Sequence, residues 1–287
     1  MELLVQTLIS GLLMGMLFAL IAMGLAVIFG VMDIVNFAHG DFLMVGMYTA
    51  FLTSSFLSID PLFAIPVSAI VGLILGLTSY YLLVRHLLKG PMVAQMLGTF
   101  GLSVFLTYSA MAIFGPNYKS LNHGLLIGKS LEIGPAIIPY SRMGTAAISL
   151  FAFGTIYWLI NRTRMGKALQ ATALNAEAAS YMGIDTEKMR AIAWAVGGTT
   201  VGIAGALMVN FYYVFPTVGI LFVLIAFTTV ALGGFGSIEG AFVAGLVIGI
   251  IVELGGTFIS SQHKFAIIYL IYFLVMIFRP KGLFGYR

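Results

Sequence analysis

This chain contains no cysteine. That excludes disulfides, a thiolate metal site and a cysteine nucleophile. Charge is scarce as well: Asp, Glu, Lys and Arg make up 8% of the 287 residues, and no stretch is long and polar enough to be a separate soluble domain. A Walker A sequence, G-x-x-x-x-G-K-[ST], is also missing, so the chain does not bind and hydrolyse ATP by itself in the P-loop manner. The nearest approach is His123-Gly124-Leu125-Leu126-Ile127-Gly128-Lys129-Ser130, where His123 stands at the position of the first glycine. No second histidine lies at ligand spacing from His39, so a metal site there is excluded too.

What the chain has in excess is apolar surface. Hydrophobic residues make up 61% of it and the mean hydropathy is +1.08. Soluble domains hold about 45–50% apolar residues, so the surplus faces lipid. Apolar runs of spanning length recur from end to end. Unpaired backbone groups are too costly in lipid for these runs to be anything but helices. Spans are expected at about 6–30, 38–57, 61–84, 93–115, 144–161, 191–214, 217–233, 238–258 and 264–279. Pro61, Pro91, Pro116 and Pro280 punctuate their ends. The opening Met1–Leu8 has no basic leader region, so residues from about Gln6 are read as a retained first span. The expected fold is all-α and polytopic, about eight or nine transmembrane helices in one integral membrane domain over residues 1–287.

Lys and Arg are retained on the cytoplasmic side, and their placement orients the chain. Arg85 and Lys89, then Arg162, Arg164, Lys167, Lys188 and Arg190, then Arg279, Lys281 and Arg287 fall on one side if the spans alternate. That side holds ten of the 14 basic residues, leaving Lys119, Lys129, Arg142 and Lys264 opposite. The C-terminus and the central polar segment are therefore expected in the cytoplasm, with the loop at about 116–143 outside. Nine spans put the N-terminus outside; a re-entrant 31–57 region would move it inside.

The central segment, Thr163–Arg190, is the one extended part of the chain suited to water. Leu174, Ala178, Tyr181 and Met182 fall at i, i+4, i+7 and i+8, the spacing of one modest apolar helix face. Gly183 suits a left-handed helix stop, and Asp185 suits the cap of the next helix. An amphipathic helix lying on the lipid surface would give the same pattern. Four small-xxx-small pairs, Gly11/Gly15, Gly72/Gly76, Gly198/Gly202 and Gly245/Gly249, permit close helix crossings, within the chain or in a dimer.

Three further places carry polar or flexible groups between apolar runs. Asn36, Phe37, His39 and Asp41 mark either a broken helix near a translocation route or a cytoplasmic turn whose polar side chains cap the next helix. Gly234 and Gly236, in Gly233–Gly240, fit either a helix break that exposes backbone groups to a substrate or a tight cytoplasmic hairpin. Glu253, the lone acid in the run Gly245–Ile259, either lines a pathway or lies near the outer interface. Phe37–Phe42 and Ser237–Phe242 are weak echoes of each other, each with a glycine beside an acid ahead of an apolar run.

Glu177-Ala178-Ala179-x-x-x-Gly183 resembles the coupling-helix motif of ABC importer permeases, without the Ile-x-Leu-Pro continuation found there. Val35–Phe42, Met182–Asp185, Gly233–Ser237 and Arg279–Gly285 occur in the order seen in one such family. Together they resemble the branched-chain (hydrophobic) amino-acid ABC permeases, in particular the shorter membrane subunit. The resemblance implies a multi-pass subunit of a bacterial inner membrane that carries out no chemistry itself. It implies two ATPase subunits holding ATP and Mg, a second related permease, a periplasmic binding protein and an apolar amino-acid substrate. Relatives for urea, short amides or other amino acids keep the substrate open, and a secondary transporter or channel is the reading from another class. Residues implied in ATPase coupling are Leu174, Glu177, Ala178, Ala179, Tyr181, Met182 and Gly183. Pathway candidates are Asn36, Phe37, His39, Asp41, Gly234, Gly236 and Glu253.

Overall fold

A computed structural model describes residues 1–121, 124–133, 136–260, 264–279 and 281–285. His123, Pro280 and Arg287, invoked above, lie outside the described residues. Each expected span is a helix: α1 Glu2–Met32, α2 His39–Leu57, a rod Pro61–Leu87, α5 Met92–Phe114, α6 Tyr140–Arg162, α9 Thr186–Met208, α10 Val218–Gly233, α11 Ile238–Phe258 and α12 Lys264–Phe278. The rod joins a 3₁₀ turn, α3 (Ile65–Ser79), a π turn Tyr80–Val84 and α4 (Arg85–Leu87). Six of these helices are long and apolar enough to cross a membrane, while α10 and α12 are shorter. Two short helices, α7 Arg164–Leu174 and α8 Ala176–Tyr181, link α6 to α9. A hairpin, β1 Ser130–Ile133 paired antiparallel with β2 Ala136–Pro139, stands in the loop expected outside.

The helix starts follow from side chains that take up orphan backbone donors. Asp60 accepts from Leu62 ahead of Pro61, Thr163 from Gly166, Asn175 from Ala178, Asp185 from Lys188 and Ser237 from Gly240. The π turn follows Ser79, whose hydroxyl accepts from the indole of Trp194 at 3.0 Å, and both Tyr80 and Trp194 are buried. Neither the π turn nor the hairpin has a pattern that the sequence reading picked up.

All four small-xxx-small pairs are spent inside the chain, and they pair with one another. Gly11 and Gly15 of α1 meet Gly245 and Gly249 of α11; a methyl group on Gly15 would lie 2.7 Å from the Leu246 Cα. Gly72 and Gly76 meet Gly198 and the Trp194–Ala195 backbone of α9. On its other side α9 receives α2 at Gly46 against Gly202, and α1 at Gly24 against Gly197. These contacts make α1 and α9 the buried centre, sheathed by α2, α3 and α11.

Side-chain links separate the two ends of the bundle. One end gathers the Arg85–Glu187 ion pair at 2.9 Å, the Tyr80 hydroxyl on the Glu187 carbonyl, and Gly30 against Gly236. The other gathers the Lys119–Val214 bridge, the Arg142–Glu253 ion pair and Gln6 on the Ile137 carbonyl. Helices α7 and α8 belong to the first end, between the close of α6 and the start of α9.

Because backbones touch at Gly15, Gly15→Leu is expected to cost about 1–3 kcal/mol through overpacking. The check is a lower thermal midpoint of the purified chain in detergent; Leu12→Ala, on an exposed position of the same helix, serves as the neutral control.

Candidate functional site

At the first end of the bundle the chain departs from one continuous helix over Leu174–Met182. Asn175 is extended, with φ −159° and ψ 103°, and its side chain accepts from the Ala178 amide, so it closes α7 and opens α8. The residue types explain the break, since Asn competes with the helix backbone through its own side chain. Leu174 therefore ends α7, while Glu177, Ala178, Ala179 and Tyr181 sit on α8 and Met182 follows it. Ala179 is the anchor: it is buried, and its carbonyl accepts from the Ile184 amide at 3.1 Å. Gly183 takes φ +82°, a conformation that glycine adopts without strain. Leu174, Tyr181 and Met182 remain 87%, 79% and 84% exposed, and the Tyr181 hydroxyl donates to Glu177 at 2.9 Å. Three large side chains on the α7–α8 elbow are therefore left uncovered by the rest of the chain.

The Asn36–Asp41 group is interior. After α1 ends at Asp33 in the left-handed region, the chain runs without regular structure to a turn at Phe37–Ala38 and enters α2. Asn36, Ala38 and His39 are fully buried, and Asp41 is 2% exposed. The Nε2 of His39 lies 2.9 Å from the Ile21 carbonyl, eleven residues before the end of α1, so α2 starts inside the bundle and not at its surface. The Asn36 side chain turns back onto the Ala38 amide at 3.0 Å. Phe37 packs its ring on Phe227 of α10 with centroids 5.5 Å apart. The break between α1 and α2 is thus buried among the packed helices.

Asp41 lies in the first turn of α2, where the helix dipole favours an acid. Its carboxylate accepts from the Thr107 hydroxyl at 2.7 Å and also faces Ser103, both on α5. Thr99, one turn earlier on α5, donates to the Val35 carbonyl at 3.0 Å. The sequence reading did not select this hydroxyl stripe. Its signal is the four-residue spacing of Thr99, Ser103 and Thr107 in an apolar run, which sets them on one helix face. Burying a carboxylate is costly without donors around it, and these hydroxyls supply them.

Gly234 and Gly236 lie elsewhere. They form the turn from α10 to α11 with φ +108° and +81°, and Phe235 of that turn packs against Phe29 with tilted rings, centroids 4.6 Å apart. The C-terminal segment folds back on this turn: Leu283 and Phe284 donate backbone hydrogen bonds to the Leu232 and Gly233 carbonyls at 2.8 and 2.9 Å. Two sequence segments read separately, Gly233–Ser237 and Arg279–Gly285, are thus one assembly at the end of α10. Glu239 accepts from the Tyr157 hydroxyl at 2.6 Å in the first turn of α11. Glu253 is held by Arg142 at 3.0 Å toward the opposite end, with both side chains partly exposed. Among the described residues no group of His, Asp or Glu is placed to hold a metal ion.

Residues 7–279 match the family described as branched-chain amino acid transport system / permease component. The chain belongs to that family. The permease is 29% identical to the high-affinity branched-chain amino acid transport system permease protein LivH of Escherichia coli (strain K12), over 98% of this chain and 95% of the relative. It is 29% identical, with the same coverage, to the corresponding protein BraD of Pseudomonas aeruginosa. A probable branched-chain amino acid transport permease protein LivH of Methanocaldococcus jannaschii is 29% identical over 85% of this chain and 79% of its own length. The permease is accordingly an all-α, multi-pass membrane protein, and the sequence resemblance to branched-chain amino-acid permeases holds over nearly its whole length.

The turn and the C-terminal strap make one prediction. A methyl group on Gly282, itself at φ +75°, would lie 2.5 Å from the Gly234 Cα. Gly282→Val is expected to release the strap and to speed tryptic cleavage after Lys281 at least tenfold, followed by mass spectrometry of the C-terminal peptide. Cleavage at the parent rate would show that the strap does not depend on this contact.

Proposed function

We propose that the permease is the membrane-spanning subunit of an ATP-driven importer of branched-chain or other hydrophobic amino acids, in the inner membrane of a bacterium. Two ATPase subunits would carry ATP and Mg, a second related permease would complete the pore, and a periplasmic protein would deliver the substrate. The chain itself performs no covalent chemistry and acts as one transmembrane domain. The C-terminus and the α7–α8 elbow face the cytoplasm, in keeping with the ten basic residues gathered on that side.

The observation that carries this reading is the elbow. Leu174, Tyr181 and Met182 are exposed while Ala179 and the Gly183 turn fix α8 to the start of α9, one of the two central helices. A partner that grips the exposed side chains therefore pushes on α9 directly. Glycine contacts then pass the motion to α2 and α3 as rigid bodies. ATP-driven closure of the partner would shift the balance between outward-open and inward-open arrangements through differential binding. A secondary transporter would need no such elbow.

Glu177→Arg and Gly183→Trp are each expected to lower ATP-dependent uptake at least tenfold in reconstituted vesicles while expression and membrane insertion hold. Unchanged uptake in both variants would remove the docking role. A second measurement uses the absence of cysteine. Leu174→Cys and Met182→Cys, each the sole thiol of its chain, should react rapidly with a water-soluble maleimide in the permease alone. In the complex with the ATPases both should be protected. Uptake by vesicles holding this chain alone, driven by an ion gradient, would contradict the importer reading.

A further inference from the structure

We propose that Asp41 recognises the α-ammonium group of the transported amino acid, at a point on its route between α2 and α5; this rests on the importer reading above. The first support is charge. Among the described residues the ion pairs are Arg85–Glu187 and Arg142–Glu253, so Asp41 has no cationic partner. At the start of α2 its carboxylate meets the hydroxyls of Thr107 and Ser103, neutral donors that orient an acid without bringing a full countercharge. An acid kept in the interior without a cation is complementary to a cation that arrives and departs.

The second support is a pair of unsatisfied groups in the same helix break. Asn36 Nδ2 and His39 Nδ1 are fully buried and have no hydrogen-bond partner. The Ile21 carbonyl beside His39 Nε2 can only accept, so Nε2 carries the proton and Nδ1 of the neutral ring is an acceptor. Along six residues of chain the break thus carries a carboxylate turned to α5, a free acceptor on a ring turned to α1, and a free buried donor. An amino-acid zwitterion brings the converse set, with three ammonium donors and two carboxylate acceptors.

The third support is the wall that covers Asp41. In its most apolar window α5 buries 17% of its residues, against 78% for α9. Its links to the α2 side are the hydroxyl bonds of Thr99 and Thr107 and the stack of Phe114 on Tyr48 at 4.3 Å. On its far side α2 is fixed to α9 by backbone contact at Gly46 and Gly205. A seam with hydroxyl bonds on one flank and touching backbones on the other opens on the hydroxyl flank. The hydroxyls that cradle Asp41 are then the ones an ammonium group replaces.

The test compares leucine with 2-hydroxyisocaproate, which keeps the carboxylate and the side chain but carries a hydroxyl in place of the ammonium. Binding of radiolabelled leucine is measured on the purified permease–ATPase complex without the binding protein, with each compound as competitor. The hydroxy acid is expected to compete at least tenfold more weakly than leucine. Asp41→Asn retains the shape and an acceptor for Thr107 but not the charge. It is expected to abolish that preference and to lower ATP-dependent leucine uptake at least tenfold in an assembled complex. Equal competition by the two compounds, the absence of saturable leucine binding, or uptake by Asp41→Asn within twofold of the parent would each overturn the proposal. If Asp41→Asn fails to assemble, the competition on the parent complex decides alone. A parent complex that binds leucine but does not accumulate it with ATP would instead overturn the importer reading.

Discussion

Backbone-to-backbone contact through glycine is the constraint on which the rest of this structure depends. Lipid is as apolar as a leucine side chain, so helices within it gain little by burying apolar surface against each other and must gain by approaching closely. Here the approach is made at Gly11, Gly15, Gly245 and Gly249 between α1 and α11, and at Gly72, Gly76, Gly198 and Gly202 between the rod and α9. Each crossing is tight enough that a methyl group would meet backbone atoms. Tight crossings make stiff units, which is what the proposed importer would need to pass on a push at the α7–α8 elbow.

The loosely held element is set against this stiffness. On its α2 side helix α5 is joined by hydroxyl groups and one pair of stacked rings. Its Gly98 meets the Leu87 side chain of the rod and not a neighbouring backbone. Along this joint Asp41 meets Ser103 and Thr107, and the Val35 carbonyl meets Thr99. The two sides of α2 are thus joined differently, by backbone contact toward α9 and by hydroxyl groups toward α5.

Much of this was legible in the sequence, because long apolar runs in lipid leave the backbone no choice but helix. The nine expected spans match nine helices to within a few residues at most ends. The cap at Asp185 and the stop at Gly183 were also readable, since each is a local property of one residue type. What was not readable depends on contacts between distant segments. Nothing around Asn36 shows that its loop folds back to the level of Ile21, and a surface turn fits the same residues. The break at Asn175 lost to the helical spacing of its neighbours, although Asn is a capping residue. The union of Gly233–Ser237 with Arg279–Gly285 appears only once α12 has returned the chain to the end of α10.

That union bears on how the protein is made. The last carbonyls of α10 leave the ribosome well before Leu283 and Phe284, the residues that satisfy them. Until synthesis reaches Leu283 and Phe284, the close of α10 and the turn beyond it stay open to water and to lipid headgroups. A chain that stopped ahead of Leu283 would have every span in place and this corner unfinished. The last turn of α10 is thus among the earliest parts of this corner to be made and among the last to be satisfied.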